Sequence, residues 1–167
     1  MGFIMTLSTT KKILYVVVYS HVGNTGSFVA RHLQPQLEAV YEGVEVIYLH
    51  SEGPHRALQE EPRNLSSVYK HETEFLLVFP CYGRRDFETG ELSSTVPLPV
   101  KQFVEKIESE DLGEILGAVV CGNRTFGSDF ARVDESLNYE TLHKVELAGS
   151  RTEAEAVITA LKERENV

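Results

Sequence analysis

The densest apolar stretch of the chain is ILYVVVY, Ile13 to Tyr19, which carries no charge and three consecutive valines. An unbroken run rich in β-branched residues suits a strand buried on both faces, as in parallel sheets. A short buried helix segment is the competing reading. The immediate exit into Ser20, Gly23, Asn24 and Thr25, residues of turns and caps, opposes it. In SFVARHL, Phe28, Val29 and Leu33 then give a helical face, and Pro35 is expected to kink or restart that helix near Leu33 before it ends by Tyr41. Gly43 precedes VEVIYL, where Val44, Val46 and Tyr48 alternate with Glu45 and Ile47, a less buried strand suited to a sheet edge. From His50 to Glu74 the chain is polar and reads as a crossover with at most a short helix. FLLVFP, Phe75 to Pro80, is a third strand that stops at CYG.

Gly83 to Val96 has neither helical nor strand period and reads as a long loop, a feature more often functional than accidental in a small domain. Val100, Phe103, Val104 and Ile107 then repeat at i, i+3, i+4 and i+7, an amphipathic helix with Pro97 near its start. ILGAVVC, Ile115 to Cys121, is a fourth buried strand, followed by the loop GNRTFG. Ser128 is placed to cap a short helix with Phe130, Val133 and Leu137 facing inward. LHKVEL, Leu142 to Leu147, is a fifth and more polar strand. In the last helix Thr152 and Glu155 read as a capping box, and Ala154, Val157, Ile158 and Leu161 form its apolar face.

Five strands alternating with helices predict an α/β fold, a doubly wound five-stranded parallel sheet of order 2-1-3-4-5 with helices on both faces. The 167 residues suit one domain, expected over 12–164, with 1–11 as a flexible N-terminal leader. Ligands of such sheets lie beyond the carboxyl ends of the strands, at the switch point of strand order. Three loops leave buried strands at that edge: SHVGNT, CYGRRDFETGE and GNRTFG.

Sixteen basic against 25 acidic residues give a net charge of −9, which argues against a nucleic-acid surface and repels a phosphate ligand. A phosphate site must therefore rest on local amides and hydroxyls. Two cysteines, Cys81 and Cys121, form no disulfide framework, and without a secretory leader a cytoplasmic, reducing location is expected. The opening MGFIMT matches a myristoylation pattern formally and is read as part of the leader. No apolar run approaches the roughly 18 residues of a membrane span, so no membrane partner is expected.

Strand, hydroxyl-bearing loop and helix start form a recipe for anion binding, in which backbone N–H groups, Ser20, Thr25 and the helix dipole hold a phosphate without a lysine. An ordinary strand-to-helix turn capped by Asn24 or Thr25 fits the same residues. The dinucleotide fingerprint G-x-G-x-x-G and the nucleoside-triphosphate loop G-x-x-x-x-G-K-[ST] are both absent. A phosphoacceptor receiver needs acidic strand ends, where this chain has Ser20, His21, Cys81 and Tyr82. Cys81 and Cys121 end adjacent strands and read as small hydrophobes before they read as a redox pair. His50, His55 and His71 lack metal-ligand spacing, so no metal is expected.

SHVGNT resembles the flavodoxin phosphate loop, S/T-x-x-G-N-T. More narrowly, LVFPCYG, GNRTFG and VELAGS resemble the NrdI family, flavodoxin-like activators of class Ib ribonucleotide reductase, over about Ile13 to Leu161. The resemblance implies FMN as cofactor, electrons from a flavodoxin/flavin or ferredoxin-type reductase, and dioxygen as small-molecule substrate. The oxidant formed, superoxide or its kin, would go to the small, radical-bearing reductase subunit. The flavin carries the chemistry, so no catalytic side chain is expected. By matching positions, Ser20, His21, Val22, Gly23, Asn24 and Thr25 would hold the phosphate. Pro80, Cys81, Tyr82 and Gly83, with Gly122, Asn123, Arg124, Phe126 and Gly127, would frame the isoalloxazine ring. The chain departs from the family pattern at Arg84, Arg85, Asp86 and Phe87, where many members are glycine-rich, and in a short segment before the fifth strand. A general single-electron flavodoxin and a flavin-free binding module are the alternative functions.

Overall fold

The computed structural model describes residues 10–19, 24–49, 73–81, 88–89, 96–122, 137–146 and 148–165. Its centre is a five-stranded parallel sheet of order β2-β1-β3-β4-β5. The strands are β1 (Thr10–Tyr19), β2 (Tyr41–Leu49), β3 (Glu74–Pro80), β4 (Glu114–Gly122) and β5 (Thr141–Glu146). β3 is buried along its whole length and β4 along all but its first residue. The charged, alternating strands β2 and β5 take the two edges, where one side of the ladder faces solvent. This is the predicted order, and its physical basis is the predicted one.

The π-helical turn Val29–Leu33 joins two short helices, α1 (Asn24–Phe28) and α2 (Gln34–Glu38). Pro35 lacks an N–H and its ring crowds the carbonyl one turn earlier, so the helix widens just before it. The expected restart near Leu33 is thereby accounted for. α3 (Leu98–Glu110) buries Val100, Phe103, Val104 and Ile107, the four positions marked by the periodicity. α4 (Arg151–Glu165) buries Ala154, Val157, Ile158 and Leu161.

Two apolar layers result. On one face α3 packs on Val17, Phe75, Leu77, Phe79, Ala118 and Val120, with Phe75 and Phe103 in an edge-on contact at 5.6 Å. On the other, α1, the π turn, α2 and α4 pack on Val16, Val18, Leu76, Val78, Val119 and Val145.

Three local expectations are corrected. β1 begins at Thr10, paired with Tyr41, so ordered strand reaches into the segment read as leader, and β2 begins at Tyr41. Ile13, read as part of a strand buried on both faces, is 46% exposed, because β3 pairs with β1 only from Leu14 onward. The cap of α4 is Ser150, whose Oγ accepts from the Glu153 N–H at 3.3 Å, while its carbonyl accepts from Ala154 N–H. Ser150 and Glu153 thus stand two residues before the frame Thr152–Glu155. The crossover at 50–72 and the helix expected after Ser128 lie outside the described residues, although Leu137 is buried.

Candidate functional site

The carboxyl ends of β1 and β3 lie side by side while the helices that follow them, α1 and α3, cover opposite faces of the sheet, which makes this the switch point. Asn24 opens α1 just beyond β1, partly exposed, and the first turn of that helix holds no acidic residue. Thr25 follows with its side chain 2% exposed. Pro80, Cys81 and Gly122 are buried at the ends of β3 and β4. The structure therefore brings Asn24, Thr25, Pro80, Cys81 and Gly122 to one edge. Ser20, His21, Val22, Gly23, Tyr82, Gly83, Asn123, Arg124, Phe126 and Gly127 lie outside the described residues, as do Arg84, Arg85, Asp86 and Phe87.

The Cys81 N–H donates to the Cys121 carbonyl at 2.8 Å and so continues the β3–β4 ladder to the point where both loops depart. Neither cysteine is in a disulfide, and both are buried. Cys81 belongs to the α3 layer and Cys121 to the α1–α4 layer, so the two side chains project to opposite faces. A redox pair is excluded by that alternation, and both are packed as small hydrophobes.

Sequence reasoning missed an approach between α1 and β4. Burial pushes the Cys121 thiol up to about 11, hydrogen bonding from the Thr25 hydroxyl works against this, and the nearby Glu153 charge adds to it. Glu153, in the first turn of α4, stands 3.8 Å from His143 Nε2, an ion pair when the imidazole is protonated. Only the register of β4 against its neighbours reveals these contacts.

Among the described residues no group of three or more His, Cys, Asp or Glu side chains is placed to hold a metal. No described helix is long and apolar enough to cross a membrane.

Sheet order, helices on both faces and a switch point between β1 and β3 define a flavodoxin-like α/β protein. Oxidised Flavodoxin 2 from Bacillus cereus shares the fold, with a TM-score of 0.51 at 18% identity over 93% of this chain and 98% of that one. Residues 16–159 match the family described as NrdI Flavodoxin like, and the chain belongs to it. Protein NrdI of Mesoplasma florum is 28% identical over 134 residues, 72% of this chain and 85% of that protein. Protein NrdI of Rhodococcus jostii is 26% identical over 125 residues, covering 68% and 78% respectively.

Proposed function

We propose that the protein is a cytoplasmic FMN-binding activator of a class Ib-type ribonucleotide reductase. In this reading it receives electrons from a flavodoxin/flavin or ferredoxin-type reductase and reduces dioxygen to the oxidant that activates the radical cofactor of the small subunit. The observation that carries it is the NrdI flavodoxin-like family match, which runs from β1 into α4 and includes all three strand ends. The residues at the edge suit a mononucleotide. Asn24 and Thr25 start a helix free of acidic groups in its first turn, a setting that favours a phosphate. Cys81 and Gly122 lie buried at the ends of β3 and β4, at the same edge of the sheet.

When bound, FMN would supply the electron transfer to oxygen. Asn24 and Thr25 would hold its phosphate, and the segments leaving Cys81 and Gly122 would frame and orient the ring. The test has two stages. FMN titration of the purified apoprotein should give saturable binding, and a colourless protein that takes up no flavin excludes every flavin reading. The reduced holoprotein is then mixed with oxygen and the small subunit, and a radical signal is sought by electron paramagnetic resonance. Radical formation dependent on this protein supports activation, whereas FMN binding without it leaves the single-electron flavodoxin.

A further inference from the structure

We propose that His143 and Glu153 form a protonation-dependent clasp that fastens the start of α4 to β5, a device independent of the flavin reading above. β5 passes into α4 through a tight turn in which the Gly149 N–H donates to the Glu146 carbonyl and the Ala154 N–H to that of Ser150. His143 pairs in register with Val119, and Val145 with Cys121. Val119, Val145 and Cys121 all belong to the layer that α4 covers. The imidazole therefore projects beneath the helix, where its Nε2 meets Glu153 Oε1 at 3.8 Å. The pair bridges strand and helix across the turn.

Donor and acceptor chemistry sets the two states of the pair. Nε2 is closed to solvent and has no hydrogen-bond partner among the described residues. Without a proton it turns a lone pair toward a carboxylate, and two acceptors cannot bond each other. With a proton it becomes a donor, and a charge-assisted N–H···O bond spans about 2.7–2.9 Å. The separation of 3.8 Å is thus an open clasp that a proton closes. The two side chains are 29% and 19% exposed, so the ring is not sealed from the protons of water. Other charged groups on the packed elements face elsewhere. On α4, Arg151 is engaged with Glu155 at 3.3 Å in solvent, and Lys162, Glu163 and Arg164 stand at the far end of the helix. On β5, Lys144 and Glu146 alternate to the opposite face of the sheet. On the π turn, Arg31 is exposed and His32 lies against Phe28. β4 contributes the buried Cys121 thiol to the same layer.

Amide hydrogen exchange on the full-length protein tests this at about pH 5.5 and about pH 8, between which imidazoles take up a proton while carboxylates stay charged. After correction for intrinsic rates, the Ala154 amide, which bonds the Ser150 carbonyl, should be about three- to tenfold better protected at the lower pH, the usual worth of one hydrogen bond. In His143→Gln and in Glu153→Ala the ratio should fall to within about twofold of unity. A wild-type ratio that close to unity, or a larger one that either variant retains, overturns the proposal. The wild-type imidazole gives a second reading that needs no variant. At the lower pH, nuclear magnetic resonance of the isotope-labelled ring should show a His143 Nε2–H sheltered from exchange and close to α4 protons, while the N–H groups of the partly exposed His32 exchange rapidly with water. A His143 Nε2–H that exchanges as fast as those of His32 overturns it equally.

Discussion

Gly149 sits in the turn between β5 and α4, with its N–H bonded to the Glu146 carbonyl at 2.8 Å. Its φ is +67°, in the left-handed region. A Cβ there would lie 2.6 Å from Val145 Cγ1 and closer still to the Phe28 ring. Both neighbours are completely buried, so neither has room to yield. For Gly149→Ala, the left-handed conformation costs about 1–2 kcal/mol for an L-residue. Overpacking of the core adds about 1–3 kcal/mol. Alanine also lowers the entropy of the unfolded chain, which returns about 0.4–1 kcal/mol. The net expectation is a loss of about 2–4 kcal/mol, or about 5–15 °C in melting temperature for a chain of this size.

Gly43→Ala is the control. A Cβ at that position meets Ile13 Cγ1 at an ordinary 3.4 Å, and Ile13 is 46% exposed and free to shift. Its effect should stay within about 0.5 kcal/mol. Urea denaturation followed by circular dichroism measures both. If the Gly149→Ala midpoint falls no further than that of Gly43→Ala, the reasoning from conformation and crowding is wrong. The site has a stake in the outcome, because Phe28 lies on the same short helix as Thr25.

Asn24→Asp should weaken FMN binding by about 1–3 kcal/mol through a lost or repelled phosphate contact. The same change should leave apoprotein stability equal or slightly raised, by about 0.3–1 kcal/mol, since a carboxylate complements a helix N-terminus; unchanged affinity in the titration would refute the placement. Tyr139 is pushed up to about 12 by burial and by its hydrogen bond to Glu108 and that carboxylate's charge. A raised folded value means that the contribution of its neutral form is complete below about pH 10, the ordinary tyrosine range, and is lost as pH rises through about 12. Urea midpoints of wild type and Tyr139→Phe should therefore differ by a constant amount below pH 10 and converge above it, and a gap that holds to high pH refutes the link. Asp111, with φ of 50°, ends α3 in the left-handed conformation. Asp111→Gly should raise stability by about 0.5 kcal/mol, and a lower melting temperature would show that the aspartate side chain has a role of its own.

The sheet could be read from the sequence because burial leaves an unambiguous mark on strands covered on both faces. FLLVFP and ILGAVVC have no polar position to offer solvent, whereas VEVIYL and LHKVEL do, and that contrast alone assigns centre and edge. α3 was equally plain, its four inward positions repeating at i, i+3, i+4 and i+7. The start of α4 was not, because SRTEAE contains two overlapping S/T-x-x-E frames. The left-handed Gly149 decides between them by turning the chain just before Ser150. The residues gathered at the switch-point edge were legible as strand ends. The approach of Thr25 to Cys121 was not, since it joins positions 96 residues apart through the relative placement of α1 and β4, and no local pattern encodes that.

Among the described residues, the acidity of the chain and its proposed anionic ligand are reconciled by where the carboxylates lie. In a parallel sheet with helical crossovers the helices run opposite to the strands, so α1, α3 and α4 direct their N-termini, the positive dipole ends, toward the carboxyl edge. The first turns of α1 and α3 contain no acidic residue. In α4 the acid of the first turn, Glu153, faces His143. At the opposite edge Asp111, Glu114 and Glu140 line a cavity of about 540 Å³ together with Arg164, which pairs with Glu114 at 3.1 Å. Screening at physiological ionic strength fades charges more than about 8 Å away, so that distant cluster weighs little against amides and hydroxyls in direct contact with a phosphate. A net charge of −9 therefore slows the approach of an anionic nucleotide more than it loosens its hold.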